Sequence, residues 1–215
     1  MSAAQKVSNR LVELAEIKPG QRVLDVATGI GEPAITAAKI VGAVGDDGHV
    51  VAIDISSQRL EIAKERAAAL GLQNIIEFKE IDAENLLFGL PQSSSSYFNA
   101  ILCRWGLMSL ADLSSALDNI YGLLADEGRF ATAVWSIPSK VPLLSIPMYI
   151  VTEQLGFPAP QPGSPGPFSL SDIDALKNSL SRVGFKDIHS EALTVTFGFV
   201  SAQEYVRFVR VMIIS

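Results

Sequence analysis

The chain has 215 residues, 48% hydrophobic and 19% charged, with a formal net charge of −6 and a pI near 4.9. That size and apolar content build one sizeable core and exclude a disordered chain, and the acidity excludes a general nucleic-acid binder, which needs Lys and Arg clusters against phosphate. No apolar run is long enough to span a bilayer, the first ten residues lack the apolar core of a signal peptide, and the one cysteine, Cys103, excludes an internal disulfide, so the expected location is a reducing cytoplasm.

Helical and extended patterns alternate along the chain. Residues 3–16 carry Val7, Leu11 and Leu14 at helical spacing before "KPGQ" breaks the pattern. "RVLDVA" is a short apolar strand, and Pro33 suits the first turn of the helix that follows, where its missing N–H is no loss. "GDDGH" is a turn and "VVAIDI" a second buried strand. "SSQRLEIAKERAAALG" is a helix with Ser57 as N-cap, Gly71 as its stop, and Leu60, Ala63, Ala67 and Leu70 as its core stripe. "NIIEFKEI" is a third strand. "SSSSYFNAILC" holds a polar loop and a fourth strand, "DLSSALDNIYGLLADEG" a helix and turn, and "RFATAVW" a fifth strand. Eight of the eleven prolines then fall between Pro138 and Pro167. They exclude one continuous helix, although "LLSIPMYIVTEQLG" fits a short kinked one. This stretch, 137–168, reads either as a surface connection or as a lid over a substrate, since long loops inside compact domains are often functional. A helix over 171–183, a strand over 188–199 and a helix opened by the capping box Ser201 and Glu204 complete the chain.

Strand–helix alternation with fully apolar strands predicts a doubly wound, mostly parallel α/β sheet of six or seven strands with helices on both faces. The whole chain is expected to form one domain, with 137–168 as a lid-like insertion.

The chemistry starts from "VLDVATGIGEPAI", a strand entering a glycine turn and a helix. Gly29, Gly31 and Ala34, with Asp54 ending the next strand, satisfy the dinucleotide fingerprint. Two residues oppose that reading. Glu32 would meet the pyrophosphate at the helix N-terminus and repel it, and Asp25 stands where the dinucleotide pattern wants an apolar residue. S-adenosylmethionine carries a sulfonium and an ammonium and no phosphate, so acidic residues suit it. Asp54 suits both ligands, because both present ribose hydroxyls.

At these residues the sequence resembles a family. "VLDVATGIGEPAI", the acid of "VVAIDIS", "EIDAENL" and "FNAILCRWGLMSLADLSSALDNIYGLLADEGRF" are similar to the successive motifs of class I S-adenosylmethionine-dependent methyltransferases, closest to the branch of the ubiquinone/menaquinone-biosynthesis C-methyltransferases. The resemblance implies that Asp25, Ala27, Thr28, Gly29 and Gly31 surround the methionine and sulfonium part of the cofactor. It implies that Asp54 binds the ribose, Ile55 packs on the adenine, Asp82 binds the adenine amino group beside Ala83, and Cys103 and Arg104 line the cofactor near its methyl. The sequence departs from the pattern in three respects. Ala27 replaces a usual glycine, which requires a negative φ there. Asn99 replaces a usual aspartate, away from the expected ligand. Neither the family's seventh strand nor its leading segment is evident, so the chain reads as shortened at its ends.

Methyl transfer is an in-line displacement that needs alignment and water exclusion more than covalent help. No catalytic base is assigned: His49 precedes the second strand, away from the ligand edge, and His189 begins a late strand. Trp105, Trp135 and Tyr149 are the expected acceptor-side residues, the tryptophans because an aromatic face attracts a sulfonium and core packing competing with that role for each. A buried apolar role for Cys103 competes with a nucleophilic one. No metal is expected. The function read from these residues is methylation of a small, apolar or aromatic molecule. An NAD(P)-dependent oxidoreductase and a cofactor-binding protein without transferase activity are the alternatives.

Overall fold

Five parallel strands form one sheet in the order β3-β2-β1-β4-β5 in the computed structural model, which describes residues 2–43, 48–90, 97–158, 161 and 163–214. The strands are β1 (Arg22–Val26), β2 (His49–Asp54), β3 (Ile76–Glu80), β4 (Phe98–Arg104) and β5 (Leu124–Ala133). The helices are α1 (Ala3–Leu14), α2 (Ala34–Val41), α3 (Ser57–Ala69), α4 (Leu86–Gly89), α5 (Leu113–Leu123), α6 (Pro142–Tyr149), α7 (Ile173–Val183) and α8 (Ala202–Ile214).

The central strands are apolar on both faces because both are covered. Val23, Ala52, Ala100 and Leu102 meet Val7 and Leu11 of α1 and Ala34, Ala37 and Ala38 of α2. On the opposite face Leu24, Val26, Ile53 and Ile101 meet Leu117 and Ile120 of α5 and Leu176 and Leu180 of α7. The strand order runs outward from β1 in one direction and from β4 in the other. Between these two strands lies the switch point where open α/β sheets leave a crevice at their carboxyl ends. A third cluster of Met108, Trp135, Val141 and Leu144 sits just beyond the carboxyl ends of β4 and β5.

Several expectations are corrected. The sheet has five strands among the described residues, not six or seven. No strand forms over 188–199, and residues 211–214 of "VMIIS" continue α8. The alternating Val195 and Phe197 are instead satisfied by side-chain packing, one against the α1 face of the sheet and the other against the tryptophans. Ser56, not Ser57, caps α3, accepting the Arg59 N–H at 3.3 Å. Leu70 is 52% exposed and leaves the core stripe to Leu60, Ala63 and Ala67. Leu14 is exposed too, and Val12 is buried in its place. Pro33 stands immediately before α2 rather than inside its first turn. The expected turn at 45–47 and the polar loop at 93–96 lie outside the described residues.

Candidate functional site

After β1 the chain turns through Ala27, Gly29 and Gly31, with φ of 57°, 59° and 98°. Glycine adopts these angles freely. Ala27 does so at a cost of about 1–2 kcal/mol, so the negative φ expected there is not what the structure has. Trp105, directly after β4, is likewise left-handed at φ 60°. Gly106 fits between the two kinks: a Cβ on it would lie 2.6 Å from Ala27 Cβ and 2.8 Å from Cys103 Sγ. Gly31 has a packing reason as well, since its Cβ would stand 3.2 Å from Ala63 Cβ on α3.

Asp25 is fully buried at the end of β1. Its Oδ2 accepts the Ala34 N–H at 2.8 Å at the start of α2. Burial pushes its carboxyl up to about 7, against the opposing pull of the nearby Thr28 hydroxyl, the Ala34 N–H and the Arg104 charge. Neither Asp25 Oδ1 nor Thr28 Oγ1 completes a well-formed hydrogen bond within the described protein, although both are buried. Groups of this kind normally have partners; here the Thr28 hydroxyl stands close enough to Asp25 to lower its pKa, without the geometry of a full hydrogen bond. Glu32 is also buried. It accepts the Thr36 hydroxyl at 2.6 Å, faces Arg66 Nη2 at 3.8 Å, and is tied through Thr36 to Gln5 of α1 at 2.7 Å.

The neighbouring strand end supplies a cation. Arg104 reaches toward α1, where Nη1 donates to Ser8 Oγ at 2.7 Å and to the Ala4 carbonyl at 3.1 Å. Its guanidinium lies 5.1 Å from the Trp105 ring centroid. Burial lowers its pKa, while Asp25 and Glu32 favour the charge. Cys103, one residue earlier, points into the opposite core. Burial, with Asp25 second, pushes its thiol up to about 12, which disfavours the nucleophilic thiolate near neutrality.

At the end of β2, Asp54 accepts the Gly29 N–H at 2.8 Å and the Ser56 N–H at 2.9 Å, one on each oxygen. It therefore holds the glycine turn in place from the side. Ile55 beside it is 70% exposed. Asp82, after β3, accepts the Glu84 N–H at 2.9 Å, with Ala83 buried next to it. The Ile81 N–H reaches the Asp54 carbonyl at 3.2 Å, so these two strand ends lie together.

Trp105 and Trp135 stack at 4.6 Å and 9°, and Phe197 leans on both at 6.3 and 6.1 Å. Trp135 is buried with its Nε1 unpartnered within the described protein. Val141 and Leu144 of the proline-rich segment close over this group, and the segment's far end is pinned where the Gly166 N–H and Ser169 hydroxyl both reach the Met108 carbonyl, at 2.8 and 2.9 Å. Tyr149, at the end of α6, is 59% exposed and outside the stacked group. His49 is at the amino end of β2, 3.7 Å from Glu77 and remote from the crevice. His189 is exposed, and the strand it was expected to begin does not form. Among the described residues no cluster of His, Cys, Asp and Glu could hold a metal, and no helix is long and apolar enough to cross a membrane.

Three participants escaped the sequence reading. Ser8 is a polar residue on the buried stripe of α1, which was a usable signal. Arg66, on α3, and Phe197 gave none, because their roles depend on chain crossings that spacing does not reveal.

Residues 17–149 match a family model described as a methyltransferase domain. The chain belongs to the class I S-adenosylmethionine-dependent methyltransferases. Among curated proteins it is 31% identical over 132 residues to a ubiquinone/menaquinone biosynthesis C-methyltransferase UbiE of Edwardsiella ictaluri, covering 61% of this chain and 49% of that one. It is 28% identical over 194 residues to the protein of the same name in Legionella pneumophila, covering 85% and 74%. The chain thus spans about half the length of several relatives it matches. A solved structure of an S-adenosylmethionine-dependent methyltransferase from Aquifex aeolicus aligns with a TM-score of 0.60 over 83% of this chain and 79% of that one, at 20% identity, which speaks for the fold alone. Membership of this methyltransferase family decides between the two readings of the glycine turn: the cofactor is S-adenosylmethionine, and nothing supports the dinucleotide alternative.

Proposed function

We propose that the protein transfers a methyl group from S-adenosylmethionine to a small aromatic acceptor of the quinol type, at carbon. The observation that carries the cofactor part is the pair of orphaned, buried acceptors Asp25 Oδ1 and Thr28 Oγ1 at the switch point. They fit an ammonium group, which donates three hydrogen bonds and adds a positive charge beside an ionised Asp25. When bound, the cofactor supplies an electrophilic methyl on a sulfonium. Asp54 would accept the ribose hydroxyls with the remaining lone pairs of oxygens that already hold Gly29 and Ser56. Exposed Ile55 offers an apolar face to the adenine, and Asp82 with Ala83 bounds its far side.

The acceptor would lie against Trp105 and Trp135, with the proline-rich segment as its outer wall. Support comes from the position of Val141 and Leu144, packed on these tryptophans at the carboxyl ends of β4 and β5. Such a wall aligns the acceptor and excludes water. A quinol-like carbon acid needs little further activation, in keeping with the absence of an assigned base. The names of the curated relatives support the quinone-related substrate class. Calorimetry is the direct test. S-adenosylhomocysteine is expected to bind and NADH is not, and a demethylated quinol is expected to gain one methyl mass. Preference for NADH would overturn the reading.

A further inference from the structure

The apolar cluster beyond β4 and β5 encloses one unsatisfied polar atom. Trp135 is 7% exposed, and its Nε1 completes no hydrogen bond among the described residues. A buried indole N–H ordinarily finds an acceptor. The side chains of its cluster, Met108, Val141 and Leu144, are all apolar, as is Phe197 beside it. Backbone carbonyls of the cluster are already engaged. The Met108 carbonyl accepts both the Gly166 N–H and the Ser169 hydroxyl, and the Leu143 carbonyl accepts the Tyr205 hydroxyl. One face of the indole is covered by Trp105, stacked at 4.6 Å and 9° with no room for a third ring between them. For stacking alone a phenylalanine would serve, and it would bury no unbonded donor. What sets this residue apart from another flat apolar ring is its polar edge.

We propose that the Trp135 indole N–H donates a hydrogen bond to a ring oxygen of the acceptor, and so selects hydroxylated aromatic rings over hydrocarbon rings of the same shape. The assignment rests on the proposed function above and names the atom through which that function becomes specific. A hydrocarbon ring leaves the buried donor unbonded, whereas an oxygen satisfies the donor and is itself satisfied. A site built around such a bond rejects the analogue that lacks the oxygen. It also orients the acceptor, because one fixed donor in an apolar enclosure sets which carbon faces the methyl. Val141 and Leu144 belong to the same cluster, so the proline-rich segment has to part from the tryptophans to admit the ring.

The test is a cycle between one protein atom and one ligand atom. Naphthohydroquinone, kept reduced, and naphthalene are titrated into wild type and Trp135→Phe with S-adenosylhomocysteine present, and the indole nitrogens of the two tryptophans are isotope-labelled for magnetic resonance. The indole N–H signal missing from Trp135→Phe identifies Trp135. In wild type that signal should move downfield with naphthohydroquinone and not with naphthalene. Trp135→Phe should move the ratio of the two dissociation constants toward naphthalene by roughly tenfold, the scale of one buried hydrogen bond. A purely packing role would weaken both probes alike and leave the ratio unchanged. That result, or a Trp135 signal unmoved at saturation with naphthohydroquinone, overturns the assignment. If Trp135→Phe fails to fold, Trp105→Phe assigns the signals and the wild-type shift decides. A wild type that binds neither probe overturns the acceptor reading on which the assignment rests, while binding of S-adenosylhomocysteine judges the cofactor part separately.

Discussion

The chain from Arg22 to Ala133 and the chain from Val134 onward obey different rules. The first part holds every described strand, and its core residues are buried on both faces of the sheet. The acids of its candidate site are fixed by backbone hydrogen bonds: Asp54 by two N–H groups, Asp25 by one, Asp82 by another. Among the described residues the second part has helices and no strand; α7 joins the sheet core through Leu176 and Leu180, while another portion is linked through rings, from Trp135 through Phe197 and Phe208 to Phe199 and Tyr205. It also leaves Ile146, Tyr149, Leu155 and Phe157 exposed. Backbone bonds define positions to a fraction of an ångström, whereas ring stacks tolerate sliding. The difference suits the proposed division of labour, in which a constant cofactor is met by the sheet and a variable acceptor by the later chain.

The strongest way to break this comparison is to replace residues 140–157 with a Gly/Ser linker. The expected outcome is loss of methyl transfer to any acceptor, with S-adenosylhomocysteine affinity kept within about threefold, or ~0.7 kcal/mol. Loss of cofactor binding in that variant, with the sheet intact by circular dichroism, would show that the two regions are not separable.

The next effect belongs to Asp54. Asp54→Ala removes the proposed ribose acceptor and also frees the Gly29 N–H, and is expected to weaken cofactor binding by roughly 2–4 kcal/mol. Asp54→Asn should fall between. Unchanged calorimetric affinity in the alanine variant would mean that the glycine turn stands without it and the ribose is held elsewhere.

The smallest effect is a pH dependence confined to the first region. Asp25, with its folded pKa raised to about 7, is neutral below that value and ionised above it. An ammonium partner needs the ionised form, so cofactor affinity should rise with pH up to about 7 and level off above. Below that point the loss approaches about tenfold, or 1.4 kcal/mol, per pH unit. The fold responds in the opposite sense. Because burial disfavours the charge, stability is greatest below the unfolded carboxyl's pKa, falls as pH rises toward about 7, and is flat beyond. Isothermal titrations at three pH values with wild type and Asp25→Asn check it, the variant being expected to bind weakly and without the slope.

The same division describes how much could be read from sequence. β1, β2 and β4 were legible as apolar runs bounded by turns, and β3 was read in place, but only the second half of β5 was: Leu124–Gly128, read as helix end and turn, belong to that strand. Asp25, Asp54 and Asp82 were expected at the carboxyl ends of β1, β2 and β3, and there they lie: within the last two residues of β1, at the end of β2 and two residues beyond β3. The late strand was misread because Val195 and Phe197 alternate at the right period. A period of two reports that one side of the chain faces protein, but it does not supply a backbone neighbour. Arg104 was located at its strand end, while its attachment to Ser8 could not be anticipated, since nothing in the spacing says that α1 returns to cover the carboxyl end of β4.

Left-handed residues at the ends of both β1 and β4, with Gly106 wedged between them, also narrow the sequences that any descendant of this protein can use. Position 27 admits glycine and asparagine readily and alanine with strain, but a valine or isoleucine there would meet both the forbidden backbone and the Gly106 contact. Position 105 keeps a large ring in a conformation such residues seldom adopt, so only a surrounding stack as firm as that of Trp135 and Phe197 can retain it. Drift at the crevice floor is therefore coupled to the later chain: a change in the late aromatic residues alters which residue can follow strand β4. New acceptor preferences should evolve by replacing the outer wall first, and reach the floor only through correlated substitutions.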